Sequence, residues 1–454
     1  MTLGTEQREA INKIIKWLKD KDKTSFSLVG PAGSGKSSLI SQLLPKLRNR
    51  DIMYVLCAPT HKAALVMRNY CGVEAITLHS LLALSPNLNI EKFDITKLLF
   101  EVTRKPNQIP PHGLVICDEA SMINDDLFDL IIQKCKSLKS KILFISDKAQ
   151  LLPVESTKYS KVYTNSDESF TLTKIYRQSE DNCLMPVLSE LRTKELSNIE
   201  NATSKDGNIT LYTDIKEYCK KCAELFIKAI ENKNILYVKA CAFTNKRVFN
   251  YNKIIQRYIW NDTELYHIGD ILTAYTNGTC GHTIENGKSI NNIPFQYYNG
   301  MDYIITNIVK GNKYIPVYEQ EVPGYYLTLY DSYYKEYGEI FIITDKKYID
   351  EVSYHLENVR LKAVKYRNCW PEYYRMRDSY CINNYSFMDN RCIAKKNFDL
   401  GYCSTVHKLQ GSNVDNICID LPNLLECKDK LVRRQLEYVA FSRTRHNAFV
   451  LTNV

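Results

Sequence analysis

No apolar run in this sequence approaches the roughly 20 residues needed to cross a bilayer, so no membrane-spanning segment is expected. The opening residues, MTLGTEQREA, are polar and lack the apolar core of a secretory signal. The reading is therefore a cytoplasmic protein without a membrane partner. A disulfide framework is also missing. There are 15 cysteines, but most stand singly inside apolar segments such as VLCAP and VICDE, which is core filling in a chain of 454 residues. The one C-x-x-C pair, Cys219 and Cys222, has no second pair at zinc spacing and falls in a helical pattern, so it reads as structural. There is no internal repeat, no low-complexity tract and no strong charge of one sign. Sixty Lys and Arg against 51 acids give a formal charge of +9, compatible with nucleic acid without being diagnostic of it.

The length argues for three or four structural units. Near the start, Ala10, Ile14, Ile15 and Leu18 recur at helical spacing, and FSLV then reads as a short buried strand. That strand runs into GPAGSGKSS, and SSLISQLLPKL follows as a helix. The stretch Gly30, Pro31, Ala32, Gly33, Ser34, Gly35, Lys36, Ser37 and Ser38 holds the G-x-x-x-x-G-K-S pattern of a phosphate cradle. Glycines let backbone N–H groups turn inward, and the helix N-terminus favours negative charge. Lys36 is expected to reach the β and γ phosphates, and the Ser37 hydroxyl to ligate Mg²⁺. A chance glycine loop would not fall between a strand and a helix.

GLVICDEAS ends a second buried strand in two adjacent carboxylates. Asp118 suits Mg²⁺, through its water shell, and Glu119 suits orientation and deprotonation of an attacking water. A third strand, KILFISD, leads to Gln150, which can sense a γ-phosphate from the neighbouring strand end. Three strands feeding one edge predict a parallel α/β sheet with its ligands at the carboxyl ends.

Eight motifs in order give the chain its resemblance. They are LGTEQREAI, GPAGSGKS, APTHKAA, TLHSLL, DEAS with SDKAQLLPV, LTKIYRQ, TVHKLQGSNVD and YVAFSRTR. Together they resemble the superfamily 1 helicases of class B, nearest the Dda-like and RecD-like DNA helicases of phages and bacteria. Ser146 departs from the glycine that usually opens SDKAQLLPV. The resemblance implies an α/β fold of two RecA-like parallel-sheet domains, a P-loop NTPase with a small pin insertion and an SH3-like β-barrel insertion. It divides the chain into a first RecA-like domain (1–82 and 114–185), a pin (83–113), a second RecA-like domain (186–268 and 398–454) and a barrel or tower insertion (269–397). It gives Gln7 to the adenine and Gly411 to the nucleotide site. Arg177 and Arg443 become finger residues that stabilise charge on the γ-phosphoryl group. It assigns Thr60, His61, Thr77, His79, Thr405 and His407 to a single-stranded DNA track; the plainer reading of the histidines is core packing or helix capping. No carboxylate or cysteine stands at ligand spacing to make them a metal site.

Phe93 and Phe100 in the pin are candidates for the duplex junction or for an opposing domain, and simple packing explains them equally. In the second insertion, WPEYYRMRDSYCINNYSF interleaves aromatics with arginines. That mixture suits single strands, although a chain with 32 tyrosines produces it cheaply. The implied activity is an ATP-dependent, 5′-to-3′ DNA helicase using ATP and Mg²⁺. Its implied partners are single-stranded DNA and duplex junctions, with replication or recombination proteins beyond them. A monomer encoded by a phage in a bacterial host fits this reading. Three alternatives stay open: an RNA helicase of the same superfamily, a nucleic-acid-stimulated translocase that strips bound proteins, and the motor subunit of a recombination complex.

Overall fold

The computed structural model describes residues 3–103, 105–153, 156, 158–176, 182–285, 288–290 and 293–452. The helix Thr5–Leu18 packs Ala10, Ile11, Ile14 and Trp17 inward, one face at helical spacing. That face is turned slightly from the predicted one, so Ile15 and Leu18 sit at its margin.

Six parallel strands form the first sheet. Their order is Ala75–Thr77, Tyr54–Ala58, Leu114–Cys117, Lys141–Ser146, Ser25–Val29, Glu168–Thr171. Helices cover both faces, which is why the central strands Leu114–Cys117 and Lys141–Ser146 are almost wholly apolar. One face carries Phe26, Leu39, Leu43, Ile116 and Leu143. The other carries Cys117, Phe128, Ile131 and Phe144. The chain leaves the carboxyl ends of adjacent strands at Gly30, Asp118 and Asp147, so their loops share one edge, as parallel α/β sheets dictate.

A second six-stranded sheet has the order Cys403–Thr405, Val238–Ala242, Val414–Asp420, Thr444–Leu451, Gly207–Tyr212, Ala202–Ser204. It is parallel except at the last pair. Cys219 and Cys222 are buried free thiols on the helix Ile215–Glu231 behind it.

Two segments leave this plan. Leu84–Pro86 and Phe100–Val102 pair as an antiparallel hairpin. Between Ile271 and Leu400 lies a larger sheet built on the long antiparallel pair Asp302–Ile315 and Gln320–Asp331. The sequence predicts a barrel here. The strands form one sheet running from Lys288–Ile290 to Phe398–Leu400, and no pairing among the described residues joins these two ends. Alternation along a strand fixes its faces but not whether a sheet closes. Phe398–Leu400, which the sequence division gives to the second RecA-like unit, pairs with Ile271–Ala274 and so completes the insertion's sheet.

The helix Lys346–Lys365 of this insertion holds the hairpin segment through Arg360, which is 1% exposed. Its guanidinium donates to the carbonyls of Leu88 (2.7 Å), Ile90 (2.8 Å) and Glu91 (3.1 Å), and its Nε donates to Glu357 (2.7 Å). No helix among the described residues is long and apolar enough to cross a membrane.

Candidate nucleotide site and nucleic-acid cleft

The loop after strand Ser25–Val29 turns through Gly33 (φ 82°) and Gly35 (φ 76°), in a region that side chains disfavour. A Cβ on Gly35 would also stand 2.2 Å from Gln7 Nε2. Gln7, given to the adenine by the resemblance, braces the loop. Its amide donates to the carbonyls of Ser34 (3.1 Å) and Gly35 (3.3 Å) and accepts from Gly4 N–H (2.9 Å). Lys36, first residue of the helix Lys36–Arg48, donates to the carbonyls of Gly30 (2.7 Å) and Pro31 (2.9 Å). Ser37 follows it on the first turn, and the Ser38 hydroxyl lies 3.4 Å from Tyr70 OH.

Asp118 accepts from Glu119 N–H (2.8 Å), and Glu119 adopts a left-handed backbone (φ 50°). Burial pushes the Asp118 carboxyl up to about 6; the Glu119 charge adds to this and Lys36 opposes it. Gln150 follows strand Lys141–Ser146. With its amide nitrogen turned toward the carboxylate, it donates to Glu119 Oε2 (3.0 Å) and accepts from Arg443 Nη2 (3.2 Å). Arg443 is 5% exposed, and its Nη1 stands 4.0 Å from Glu119 Oε1. It follows the helix Lys430–Ser442 of the second sheet unit, so this contact crosses between units. Arg177 lies outside the described residues.

The same helix makes a second crossing that the sequence reading passes over. Tyr438 OH donates to Asp147 Oδ2 (2.7 Å) and accepts from Ala32 N–H of the phosphate loop (3.1 Å). A tyrosine inside an apolar run reads as core, and only the fold reveals where its hydroxyl ends. Gly411 has its closest neighbour in Ala63, 3.1 Å from the position of a Cβ. Its left-handed backbone (φ 74°) lies against the helix His61–Cys71, so it is a packing position between the two sheet units.

A cleft of about 660 Å³ gathers most of the expected DNA track. Thr60, His61, Thr77, His79, Phe93 and Phe100 are on its wall, facing Tyr275, Asn277 and Asn299 of the larger insertion. Thr60 and Thr77 are helix N-caps, accepting from Ala63 N–H (3.2 Å) and Ser80 N–H (3.1 Å). The His61 ring packs against Tyr298 (4.3 Å, tilted by 31°) and the His79 ring against Phe100 (4.6 Å, tilted by 46°). Burial lowers the His61 imidazole to about 4 and lowers His79 and His407 as well, so all three are neutral at physiological pH. Thr405 is nearly buried and His407 lies 6.3 Å from Phe243; neither lines the cleft. Phe100 is 46% exposed, but Phe93 is 5% exposed, with the Arg360 guanidinium 5.1 Å above its ring. A ring so covered cannot stack on a base. Of the roles the sequence leaves open for Phe93, its surroundings serve the contact with an opposing domain.

Two further elements went unread. Asp302 of the insertion meets Lys239 of the second sheet (2.9 Å) and Lys62, beside His61 (3.7 Å), all buried. Burial works against the Asp302 charge, and the two ammonium groups nevertheless hold its carboxyl below the usual range. Lys408 places its ammonium over the Tyr275 ring, 3.1 Å from the centroid, where burial pulls it down to about 7. Each partner lies far away in sequence, so spacing carries no trace of these contacts.

A phosphate loop on one parallel sheet, faced by an arginine from a second, defines a two-domain P-loop NTPase. Residues 2–214 match the family described as AAA domain, and residues 400–451 match the UvrD-like helicase C-terminal domain. The chain is 27% identical to the ATP-dependent DNA helicase dda of Enterobacteria phage T4, across 98% of both chains. It is 24% identical to the RecBCD enzyme subunit RecD of Buchnera aphidicola, across 98% of this chain and 72% of that one. A solved structure of two coordinating Pif1 helicases at forked duplex DNA shares the fold, with TM-score 0.52 and 18% identity over 99% of this chain and 92% of that one. The chain is similar along nearly its whole length to the Dda-like and RecD-like helicases, and its two family matches agree with the resemblance to superfamily 1 of class B.

Proposed function

We propose that this protein is an ATP-dependent DNA helicase that moves 5′ to 3′ along a single strand and separates duplex, acting as a monomer. The observation that carries the reading is the bridge from Arg443 through Gln150 to Glu119. It joins the two sheet units at the carboxylate expected to activate water.

The substrate is ATP, its triphosphate held by the loop from Gly30 to Ser38. Lys36 exchanges its carbonyl partners for the β and γ oxygens, Glu119 takes a proton from the attacking water, and Gln150 positions that water. Arg443 meets charge developing on the γ-phosphoryl group. Because Arg443 is delivered by the second unit, hydrolysis depends on how the units meet, which couples chemistry to movement along the strand. The Ser37 hydroxyl and the Asp118 carboxylate are hard oxygen donors that fit Mg²⁺. The described residues hold no cluster of three or more potential protein ligands, which suits an ion that keeps its own waters and shares phosphate oxygens. Bound Mg²⁺ would neutralise phosphate charge. In the cleft, threonine hydroxyls bond phosphates while neutral imidazoles and Phe100 pack against bases.

ATPase activity measured with single-stranded DNA and with RNA, followed by unwinding of duplexes carrying a 5′ or a 3′ tail, tests the proposal. Stimulation by DNA with unwinding from the 5′ tail is the expected result. Stimulation by RNA alone, or unwinding from the 3′ tail alone, would overturn it.

A further inference from the structure

The stretch WPEYYRMRD has no part in the mechanism above, and the structure turns it into an ordered surface. It forms the helix Trp370–Arg377. Trp370, Tyr374 and Arg377 stand at i, i+4 and i+7 and so share one face. Trp370 and Tyr374 stack with ring centroids 5.8 Å apart and planes 29° apart. Arg377 lays its guanidinium 4.8 Å over the Tyr374 ring, oriented by Asp378 (2.6 Å). Behind this ladder, Tyr373 is buried and meets both neighbouring rings edge-on, which fixes their pitch.

Tyr374 is 41% exposed, and with Arg377 it lines the same cleft as His61, His79 and Phe100, on the wall contributed by the larger insertion. Between 362 and 378 there are five Lys or Arg against two acids. An exposed aromatic face with a stacked arginine and a cationic surround fits the flat faces and phosphates of a single strand. A peptide with apolar anchors would need a dry groove instead, and this ladder is open and charged.

We propose that Trp370, Tyr374 and Arg377 form a base-stacking subsite that extends the single-stranded DNA path beyond the two motor units. This rests on the function proposed above and adds a second footprint to it. A strand long enough to reach from the motor residues to the ladder gains stacking on Tyr374, and a shorter one does not.

Intrinsic fluorescence reads the ladder directly. Trp17 is 1% exposed and Trp260 is stacked on His267 (4.7 Å), which leaves Trp370, stacked on the cleft residue Tyr374, as the indole that reports the ladder. The probes are oligothymidylates of roughly 8 and roughly 20 nucleotides. The longer one should quench tryptophan emission, and Trp370→Phe should remove that quench while the longer oligonucleotide still binds. By anisotropy, Tyr374→Ala should weaken the longer oligonucleotide about tenfold and leave the shorter one unchanged, and Tyr374→Phe should restore the affinity. Quenching that survives Trp370→Phe, or equal losses for both lengths, would overturn the subsite while leaving the helicase assignment intact. Failure of the unaltered protein to bind either oligonucleotide would overturn both.

Discussion

Arg443 and Tyr438 probe the first unit from one helix, at opposite ends of the turn from Asp147 to Gln150. Their roles separate in kinetics. Arg443→Ala should lower kcat at least about a hundredfold with little change in ATP affinity, as for a donor that acts on transition-state charge. Tyr438→Phe should lower kcat about tenfold, because Asp147 and Ala32 N–H lose a buried partner while the arginine remains. Equal losses of binding and turnover in Arg443→Ala would assign it to the ground state. The cleft histidines make a separate forecast for stability. The folded values of His61 and His79 lie below the ordinary imidazole value, with His61 near 4, so the unfolded chain binds protons that the folded one refuses. Stability should therefore fall as pH drops from about 6.5 toward 4, and these groups should leave it unchanged above 7. Thermal midpoints across that range check the sign, and replacing His61 with Gln should flatten the slope.

At the scale of elements, the hairpin Leu84–Pro86 with Phe100–Val102 is too small to hold its own shape. It is held by Arg360, whose guanidinium ties the carbonyls of Leu88, Ile90 and Glu91 to a helix of another insertion. It is held also by the bonds from Ile95 N–H to Cys392 O (3.1 Å) and from Arg391 to Phe93 O (3.4 Å). Replacing Ser85 to Pro110 with a short Gly-Ser linker should preserve DNA-stimulated ATPase and abolish most unwinding of a 5′-tailed duplex. Arg360→Ala should reproduce that split in milder form, at a stability cost of about 3 kcal/mol, the low end for breaking a buried pair. The low end applies because Arg391 remains 3.7 Å from Glu357. If ATPase and unwinding fall together in both variants, the hairpin belongs to the motor fold and not to strand separation.

Across the whole molecule, the cleft takes its walls from the first sheet unit, the hairpin and the larger insertion, and Lys408 of the second unit reaches Tyr275 on its rim. The buried group of Lys62, Asp302 and Lys239 locks three of these bodies at one point. Affinity for single-stranded DNA should depend steeply on salt, with log K falling against log salt at a slope of about −2 or steeper for three or more phosphate contacts. A flat salt response would mean that stacking alone holds the strand and that the cationic surround is idle.

Contiguous residues alone gave the phosphate loop, the Asp118–Glu119 pair, Gln150 and the parallel sheet that presents them, while Arg443 and the second sheet came from the ordered motifs of the resemblance. The first group is written as glycines where the backbone turns, apolar runs where a strand is covered on both faces, and a charged residue where such a run stops. Thr60 and Thr77 entered through the resemblance, and the structure adds that both cap helices. Tertiary structure alone decided that Tyr438 reaches Ala32 and Asp147, that Arg360 covers Phe93, that Gly411 packs on Ala63, and that no pairing among the described residues closes the insertion's sheet. Those outcomes depend on partners hundreds of residues apart, brought together by the closing of one body on another. Local propensity and spacing carry no information about which distant surface a side chain will meet.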